Sequence, residues 1–443
     1  MPPAPSIRLI APDTSSAVLI GYSGGVDSTV LLHLLASDTA IRTRGLRALH
    51  VHHGLQPDAD LWADHCLRIC AGLDIDCEIA RVMVERDSGL GTEAAARQAR
   101  RAVFARILHA GETLALAHHR DDQAETFLLR ALRASGPDGL ASMRPWRDFA
   151  GGWLWRPLLG TPRADLLAYA RTHSLNWIED PSNADTAHDR NFIRHRVLPL
   201  LRERWPTTDA AFARAAALAA QSSALLGEQD KQTLAKVRGN TDTSLSAPAL
   251  LMLPAAQRAR VLRHWVAGLG WPPLPAQGVA RIDVDLLGVG TERPARDRMP
   301  SFAWHGAEIR RWRDDLYAIE TGCELDTAWC CHWDGCAPLA LPNGDRLQLA
   351  GASGFPTPLL VHARRGGERI LLSNRGELHH ALKHVLQEQG IPPWERERMP
   401  LISTADNGIL LAVADRIRSA GFEHWLQSQG AQLLWTRRPA PVG

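Results

Sequence analysis

The sequence predicts an α/β protein: an N-terminal doubly wound parallel sheet, then a small, mainly helical domain and a mixed α+β C-terminal domain. Three observations carry this. Over roughly the first 200 residues, short apolar runs alternate with amphipathic runs of helical period, the pattern of a parallel sheet covered on both faces. After residue 205 an alanine-rich helical stretch replaces that alternation. From residue 322 hairpin and helix patterns mix. The expected boundaries are 1–205, 206–320 and 321–443, and 443 residues is long for a single domain.

In order, "AVLIGY" reads as a strand and "STVLLHLLA" as a helix with an apolar stripe. "LRALHV" is a second strand. "DADLWADHCLRICAGL" is an amphipathic helix with Leu61, His65, Ile69 and Leu73 at fourfold spacing. "IDCEIARV" alternates like a strand, and "TEAAARQARRAVFARILHA" is a helix with Thr92 as its N-cap. "TLALAHH" and "DDQAETFLLRALRA" complete another strand and helix. Farther on, "WPTTDAAFARAAALAAQSSALLGEQ" is helical, and "PPLP" ends the helical region. "AEIRRWRDDLYAIE" is a hairpin turning at "DD", "PLALPNGDRLQLA" is a hairpin with an N-G-D turn, and "LHHALKHVLQEQG" is a helix closed by Gly390.

Composition excludes several classes. A hydrophobic share of 45% and a charged share of 22% are ordinary for a globular protein. No apolar run approaches about 18 residues, so no membrane span is expected. "MPPAPSIRLIAPD" lacks the basic and apolar regions of a signal peptide. Seven cysteines in no scaffold pattern fit a reduced, cytoplasmic protein. Cys66 and Cys70 lie on an amphipathic helix as small packing residues. Cys323, Cys330, Cys331 and Cys336 lack paired C-x-x-C spacing, so no metal cluster is expected. The net charge is +2, but Lys231, Lys236 and Lys383 are the only lysines. Arginine's planar fork suits phosphate; a GC-rich genome produces the same bias, and net charge does not separate the two.

Two motifs sit where an α/β sheet binds ligands, outside the carboxyl ends of its strands. "GYSGGVDS" follows the first strand and opens a helix. A glycine-rich turn there presents free N–H groups at the positive end of the helix dipole, an anion site. Ser23, Gly24, Gly25, Val26, Asp27 and Ser28 are its residues; a plain tight turn capped by Asp27 or Ser28 is the alternative. A Walker A loop needs G-K-[ST], and no lysine precedes residue 231. "HHRDDQAET" follows a later strand. Asp122 and Glu125, three apart, share one helix face. N-terminal capping is the weaker alternative. His118 and His119 are open to phosphate or base contact and the spacing does not rank them; His119 stands with the catalytic candidates. "HVHHGL" puts His50 and His52 on one face of the second strand and His53 on the other. Arg97, Arg100 and Arg101 share a helix face and are candidates for RNA or ATP-phosphate contact, against the commoner solvated face; Arg190 and Arg194, four apart, also face together.

S-G-G-V-D-S after the first strand is the signature of the PP-loop ATP pyrophosphatase superfamily, which it resembles. "LRALHVHHGLQPDADLWADHC", "GTEAAARQARRAVFAR", "AHHRDDQAETFLLRALRASGPDGLASM", "RPLLGTPRADLLAYA" and "LNWIEDPSNADTAHDRNFIRHRVLPLL" follow in order. Together with "RRGGERI" and "KHVLQEQGIPPWERERMPLI" they resemble the long form of the tRNA(Ile)-lysidine synthetase family. Residues 15–205 are close to it and 360–415 similar; 210–350 share only general character.

The resemblance implies an adenine nucleotide α-hydrolase-like catalytic domain and a ligase reaction. ATP adenylates the 2-oxo group of the wobble cytidine in an isoleucine tRNA with a CAU anticodon. The ε-amine of free lysine then displaces AMP, giving lysidine. It implies ATP in the glycine loop and Mg²⁺ held by Asp27 and Asp121. Asp122 and Glu125 serve lysine and nucleotide, and the segment of Arg190, Asn191 and Arg194 lies near the active site, Arg194 as a catalytic candidate and Arg190 and Asn191 as candidates for tRNA contact. It implies no membrane partner and a monomer or homodimer. Arg365, Arg369, Lys383, Arg396 and Arg398 concentrate in the C-terminal region as candidates to grip tRNA, although interleaved acids also read as a surface ion-pair network. A base-thiolating PP-loop enzyme is the nearest alternative, but it needs a catalytic cysteine or C-x-x-C pair. An amidotransferase-type synthetase needs an ammonia-generating domain. A non-catalytic RNA-binding module would not need both motifs intact.

Overall fold

The computed structural model describes residues 7–10, 15–54, 56–83, 92–241, 243–290, 299–373 and 378–438. The chain divides into two compact units, 1–226 and 227–443.

The first unit is built on a six-stranded sheet. Its elements are β1 (Val18–Gly21), α1 (Val26–Ser37), α2 (Thr39–Arg44), β2 (Leu46–His52), α3 (Ala59–Gly72), β3 (Asp76–Arg81), α4 (Thr92–Ile107), β4 (Thr113–Ala115), α5 (Arg120–Leu132), α6 (Pro137–Leu140), β5 (Trp146–Phe149), β6 (Gly152–Trp155), α7 (Arg163–Thr172) and α8 (Asp189–Phe192). The strand order is β3-β2-β1-β4-β6-β5. All neighbours are parallel except β5, which returns antiparallel on β6. Because β1 lies between β2 and β4, the chain crosses from one side of β1 to the other, and the loops after β1 and β4 diverge there. That is the crevice where such sheets hold ligands.

The strands are apolar because both faces are covered. Ile20, Val30, Leu31, Leu35 and Trp155 fill one side; Leu19, Leu49, Phe104, Leu114 and Leu154 fill the other. At about 25 cal/mol per Å² these side chains drive the packing of α1 and α4 onto opposite faces.

Two local expectations change. The buried stripe of α3 is Ala63, Cys66 and Cys70, while Leu61 is 65% exposed. Ile69 and Leu73 pack at the edge of the core. Small residues at i, i+3 and i+7 let α3 lie close to the sheet, which a leucine at position 61 does not share. The β5–β6 hairpin was not legible in advance. Ala150 (φ 50°) and Gly151 (φ 78°) form its two-residue turn, with positive φ at both central positions as such hairpins require. The proposed cap Thr92 is the first residue of α4, and its side chain lies outside the described residues.

The second unit holds antiparallel sheets. Helices Ala255–Gly268 and Ala276–Arg281 pack on a four-stranded sheet of β7 (Ser244–Ser246), β8 (Ser301–Trp304), β9 (Ala307–Trp312) and β10 (Asp315–Glu320), in the order β7-β10-β9-β8. The expected helical region therefore carries a sheet of its own. The predicted hairpin is β9–β10, and its turn is Arg313–Asp314 because Asp315 already pairs with Trp312. Beyond it, β11 (Cys330–Trp333), β12 (Leu339–Ala340), β13 (Arg346–Ala350) and β14 (Leu359–His362) are followed by the short pair β15 (Arg369–Leu371) and β16 (His379–Ala381). The predicted helix there is Leu382–Glu388; of the residues expected before it, His379–Ala381 form β16.

Candidate active site

The loop after β1 begins with Tyr22 and Ser23 and turns at Gly24. Gly24 has φ +82°, and a Cβ there would lie 2.7 Å from Ile178 Cδ1 and 3.1 Å from Cys66 Sγ. Only glycine fits both constraints. Gly25 is the N-cap of α1, with φ −73° and room for a Cβ, 3.5 Å from its nearest neighbour. Its glycine is therefore not a packing requirement. Ser23 Oγ and Ser28 Oγ lie 3.0 Å apart, Ser28 Oγ donates to Gly25 O (3.0 Å), and Ile178 N donates to Gly24 O (2.8 Å). These bonds pin the turn while the N–H groups of Val26, Asp27 and Ser28, in the first turn of α1, point outward without helical acceptors.

The loop opens on a cavity of about 410 Å³ lined also by Tyr22, His50, His52, His53, Trp62 and His118. Asp27 Oδ1 is shielded from solvent and has no hydrogen-bond partner among the described residues, with Arg163 Nε 3.9 Å away. His50 is a structural histidine: its Nδ1 is 3.0 Å from Tyr22 O and 3.3 Å from Cys66 Sγ. His52 pairs with Asp60.

The second motif folds as a closed network at the start of α5. His119 N donates to Asp122 Oδ2 (3.1 Å) and Asp122 N donates to His119 Nδ1 (3.4 Å), a capping box. His119 Nε2 lies 3.6 Å from Asp27 Oδ2, linking the two motifs. Burial opposes a charged His119, but Asp122 and Asp27 outweigh it and raise its pKa. Asp121 accepts from the Arg163 amide (3.0 Å) and from Arg202 Nη2 (3.0 Å). Both its oxygens are occupied.

Asp122 and Glu125 do share one face, and that face is held by arginines. Arg190 donates to Glu125 Oε2 (2.8 Å) and Asp122 Oδ1 (2.8 Å). Arg194 donates to Glu125 Oε1 (2.6 Å), Glu125 Oε2 (3.0 Å) and Asp122 Oδ1 (3.1 Å). Glu125 is 1% exposed. Burial works against the Asp122 carboxylate, but His119, Arg190 and Arg194 hold its pKa well below the usual range. The same pairing raises the pKa of both arginines. A helix cap alone does not need two buried guanidinium partners. Asn191, by contrast, spends both amide hydrogens on Ser182 O and Asp185 O and staples a loop.

A second cavity of about 890 Å³ adjoins the first. Arg97, Arg100 and Arg101 of α4 line it together, as their shared face implied. Sequence reasoning missed Arg130 of α5, Arg133 at its C-cap, and Arg144, Arg147 and Arg156 around the β5–β6 hairpin, which complete the lining with Arg190. Asp189 is its one acidic side chain. Like charges crowd: burial, then Arg147, Arg97 and Arg130, push Arg156 down to about 10. A site with that field favours a polyanion. Arg100, Phe104, Leu116 and His118 line both cavities and form the wall between them.

Comparison with known proteins agrees with this geometry. The PP-loop domain family matches residues 5–201. The TilS substrate binding domain matches 245–317 and the TilS substrate C-terminal domain 359–435. The tRNA(Ile)-lysidine synthase of Xanthomonas axonopodis pv. citri is 55% identical over 420 residues, 94% of this chain and 93% of that protein. That of Xylella fastidiosa (strain Temecula1) is 51% identical over 96% of both chains, and that of Escherichia coli O157:H7 40% identical over 96% and 97%. The chain belongs to the tRNA(Ile)-lysidine synthase family. The thiolating alternative is not favoured, and Cys66 and Cys70 are buried packing residues.

In this member of the lysidine synthase family, the C-terminal candidates occupy two settings. Arg365 and Arg369 are exposed, and among the described residues their guanidinium groups donate to the carbonyls of Thr327 and His379. Lys383 is exposed on its helix. Arg396 donates to Ile391 O (2.7 Å). Arg398 grips the fully buried Asp345 with two bonds, 2.8 and 2.5 Å, a structural pair. The interleaved acids are partly spent as well: Glu368 accepts from the amides of Arg365 and Gly366, and Glu395 from Arg437.

Proposed function

We propose that this chain forms lysidine at the wobble cytidine of an isoleucine tRNA with a CAU anticodon, using ATP and free lysine and releasing AMP and pyrophosphate. The observation that carries the reading is the pair of joined cavities: a phosphate loop in one, an arginine lining in the other, and the acid–arginine network beside their common wall. The loop amides of Val26, Asp27 and Ser28 hold the pyrophosphate of ATP. The arginine cavity takes the RNA backbone next to the target base. The base then reaches the α-phosphate across the wall of Arg100, Phe104, Leu116 and His118. Its 2-oxo group attacks phosphorus, and pyrophosphate leaves from the loop. The lysine ε-amine next attacks C2; the C2–O bond breaks, and AMP departs with the electron pair. The product bond is carbon–nitrogen, so the reaction is a ligation.

The residues present fit a magnesium ion. Such an ion takes one or two carboxylates and keeps waters, and Asp27 offers an unpartnered carboxylate oxygen at the loop. Asp121 is the weaker ligand, since both of its oxygens already accept hydrogen bonds. Magnesium would neutralise charge on the leaving pyrophosphate.

Asp122 and Glu125 are proposed to orient lysine with Arg190 and Arg194: the arginines fix the carboxylates, and the lysine ammonium inserts against an oxygen an arginine yields. Arg190 lines the arginine cavity and bonds both acids, so RNA phosphate can draw it away and open that place. Among the described residues no helix is long and apolar enough to cross a membrane, and ATP, lysine and tRNA meet in the cytoplasm. Omitting Arg365 and Arg369 by neutral substitution should weaken tRNA binding while leaving ATP affinity unchanged; equal loss of both would place them outside tRNA contact.

A further inference from the structure

Lysine is protonated at neutral pH, and its ε-ammonium has no lone pair with which to attack C2. Some group must take a proton. The obvious candidates, Asp122 and Glu125, are locked by two half-buried arginines, and the pKa of Asp122 is depressed, which makes it a poor base. His119 caps α5 and faces Asp27. His50 and His52 are bonded to Tyr22 and Asp60. His118 is left. It is the one histidine that lines both cavities. No described residue forms a hydrogen bond with its side chain, and its Nδ1 is sealed from solvent. With Nδ1 carrying the ring hydrogen, Nε2 is the nitrogen a substrate can reach.

We propose that His118 is the general base of the lysine-transfer step, taking a proton on Nε2 from the lysine ε-ammonium at the wall between the two cavities. This rests on the lysidine-forming reading above. One N–H bond of the ammonium breaks and an imidazole N–H forms. The freed lone pair makes the C2–N bond, and the C2–O pair leaves on AMP.

The charges facing the ring explain how the base is gated. Asp122 of α5 favours its protonation; Arg156 beyond β6, Arg190 of α8 and Arg100 of α4 oppose it. Burial, followed by those arginines, lowers His118 to about 3, so the ring is neutral. An adenylate phosphate and RNA phosphates beside the same arginines cancel their push. The pKa then rises toward the range where a general base works. His118 becomes effective only when both substrates are in place.

The test uses the full chain with ATP, isoleucine tRNA and radiolabelled lysine, for wild type, His118→Gln and His118→Asn. Adenylation is read as tRNA-dependent exchange of pyrophosphate into ATP without lysine. Transfer is read as single-turnover lysine incorporation. The expected result is adenylation within about threefold of wild type and transfer reduced about 10²- to 10⁴-fold, the range for a lost general base. Between pH 7 and 9 the variants' transfer rate should climb about tenfold per pH unit, as free amine appears below the lysine pKa of about 10.4. The wild-type rate should climb less steeply. A thioether analogue of lysine with a less basic terminal amine should recover part of the loss. Equal loss in adenylation and transfer, loss of ATP binding in both variants, or a pH slope equal to wild type would make His118 structural and overturn the proposal. Wild-type protein that incorporates no lysine would instead overturn the lysidine reading itself.

Discussion

Replacing Glu125 by glutamine tests the acid–arginine network directly. Glu125 is 1% exposed and accepts three guanidinium bonds of 2.6–3.0 Å. The amide keeps one acceptor and turns an NH2 group toward guanidinium donors. At least one charge-assisted bond is lost, and one buried cation faces another donor. Breaking a buried ion pair costs about 3–5 kcal/mol. Arg190 and Arg194 each keep a bond to Asp122, at 2.8 and 3.1 Å, so the cost sits near the lower bound, about 3 kcal/mol. In a unit of 226 residues, about 2–4 °C of melting temperature accompanies each kcal/mol. The transition of that unit should therefore fall by about 6–12 °C. Scanning calorimetry with and without ATP identifies the transition, and the lysine KM should rise in the same variant. Glu125→Gln with Arg194→Met should recover at least about 1 kcal/mol as coupling. A shift below about 2 °C with an unchanged lysine KM would refute a network that is both structural and substrate-facing.

Three further outcomes follow from the same geometry. Gly25→Val should fold, because Gly25 has ordinary φ and space for a Cβ, yet lose ATP binding by isothermal titration; Gly24→Ala should lower the melting temperature as well, and a Gly25→Val protein with normal ATP affinity would remove the loop from the phosphate. Stability should fall as pH drops from about 6.5 toward 4: burial lowers His53 to about 4 and His118 to about 3 from 6.5, so the unfolded chain binds more protons in that window and stability rises with pH across it. Asp122, whose pKa is depressed, adds stability that is complete above its ordinary 3.8 and is lost at still lower pH; urea melts at pH 7, 5 and 4 check the histidines, and further melts below pH 3.8 check Asp122. Arg398→Met should destabilise the second unit by about 3 kcal/mol, since it strands the buried Asp345, whereas Arg365→Gln with Arg369→Gln should leave stability unchanged and flatten the log–log salt slope of tRNA binding by roughly 0.7–0.9 per contact.

Legibility in the sequence followed the range of the forces involved. The phosphate loop was legible because its chemistry is local: glycine, serine and aspartate between a strand and a helix constrain one another within eight residues. The acid pair was legible as a helix face, since i, i+3 spacing fixes a direction. Its arginine partners lie 65–72 residues away, and only their own i, i+4 spacing hinted at a shared target. The arginine cavity was half legible. Arg97, Arg100 and Arg101 share a helix face, but Arg147 and Arg156 reach it through a hairpin whose A-G turn was passed over. The stripe of α3 was misassigned because leucine outranks cysteine and alanine as an apolar signal, while close approach to the sheet favours the small residues. Arg398 looked like its neighbours in sequence; a single buried aspartate 53 positions away makes it structural.

The central claim, that joined ATP and RNA cavities perform a lysine-consuming ligation, is tested most directly by pyrophosphate release from ATP with each reactant omitted in turn. Sustained release is predicted only with lysine and isoleucine tRNA together. Without lysine, release should stop at about one pyrophosphate per bound tRNA; without tRNA there should be none. Sustained release without tRNA, or turnover indifferent to lysine, would contradict the account.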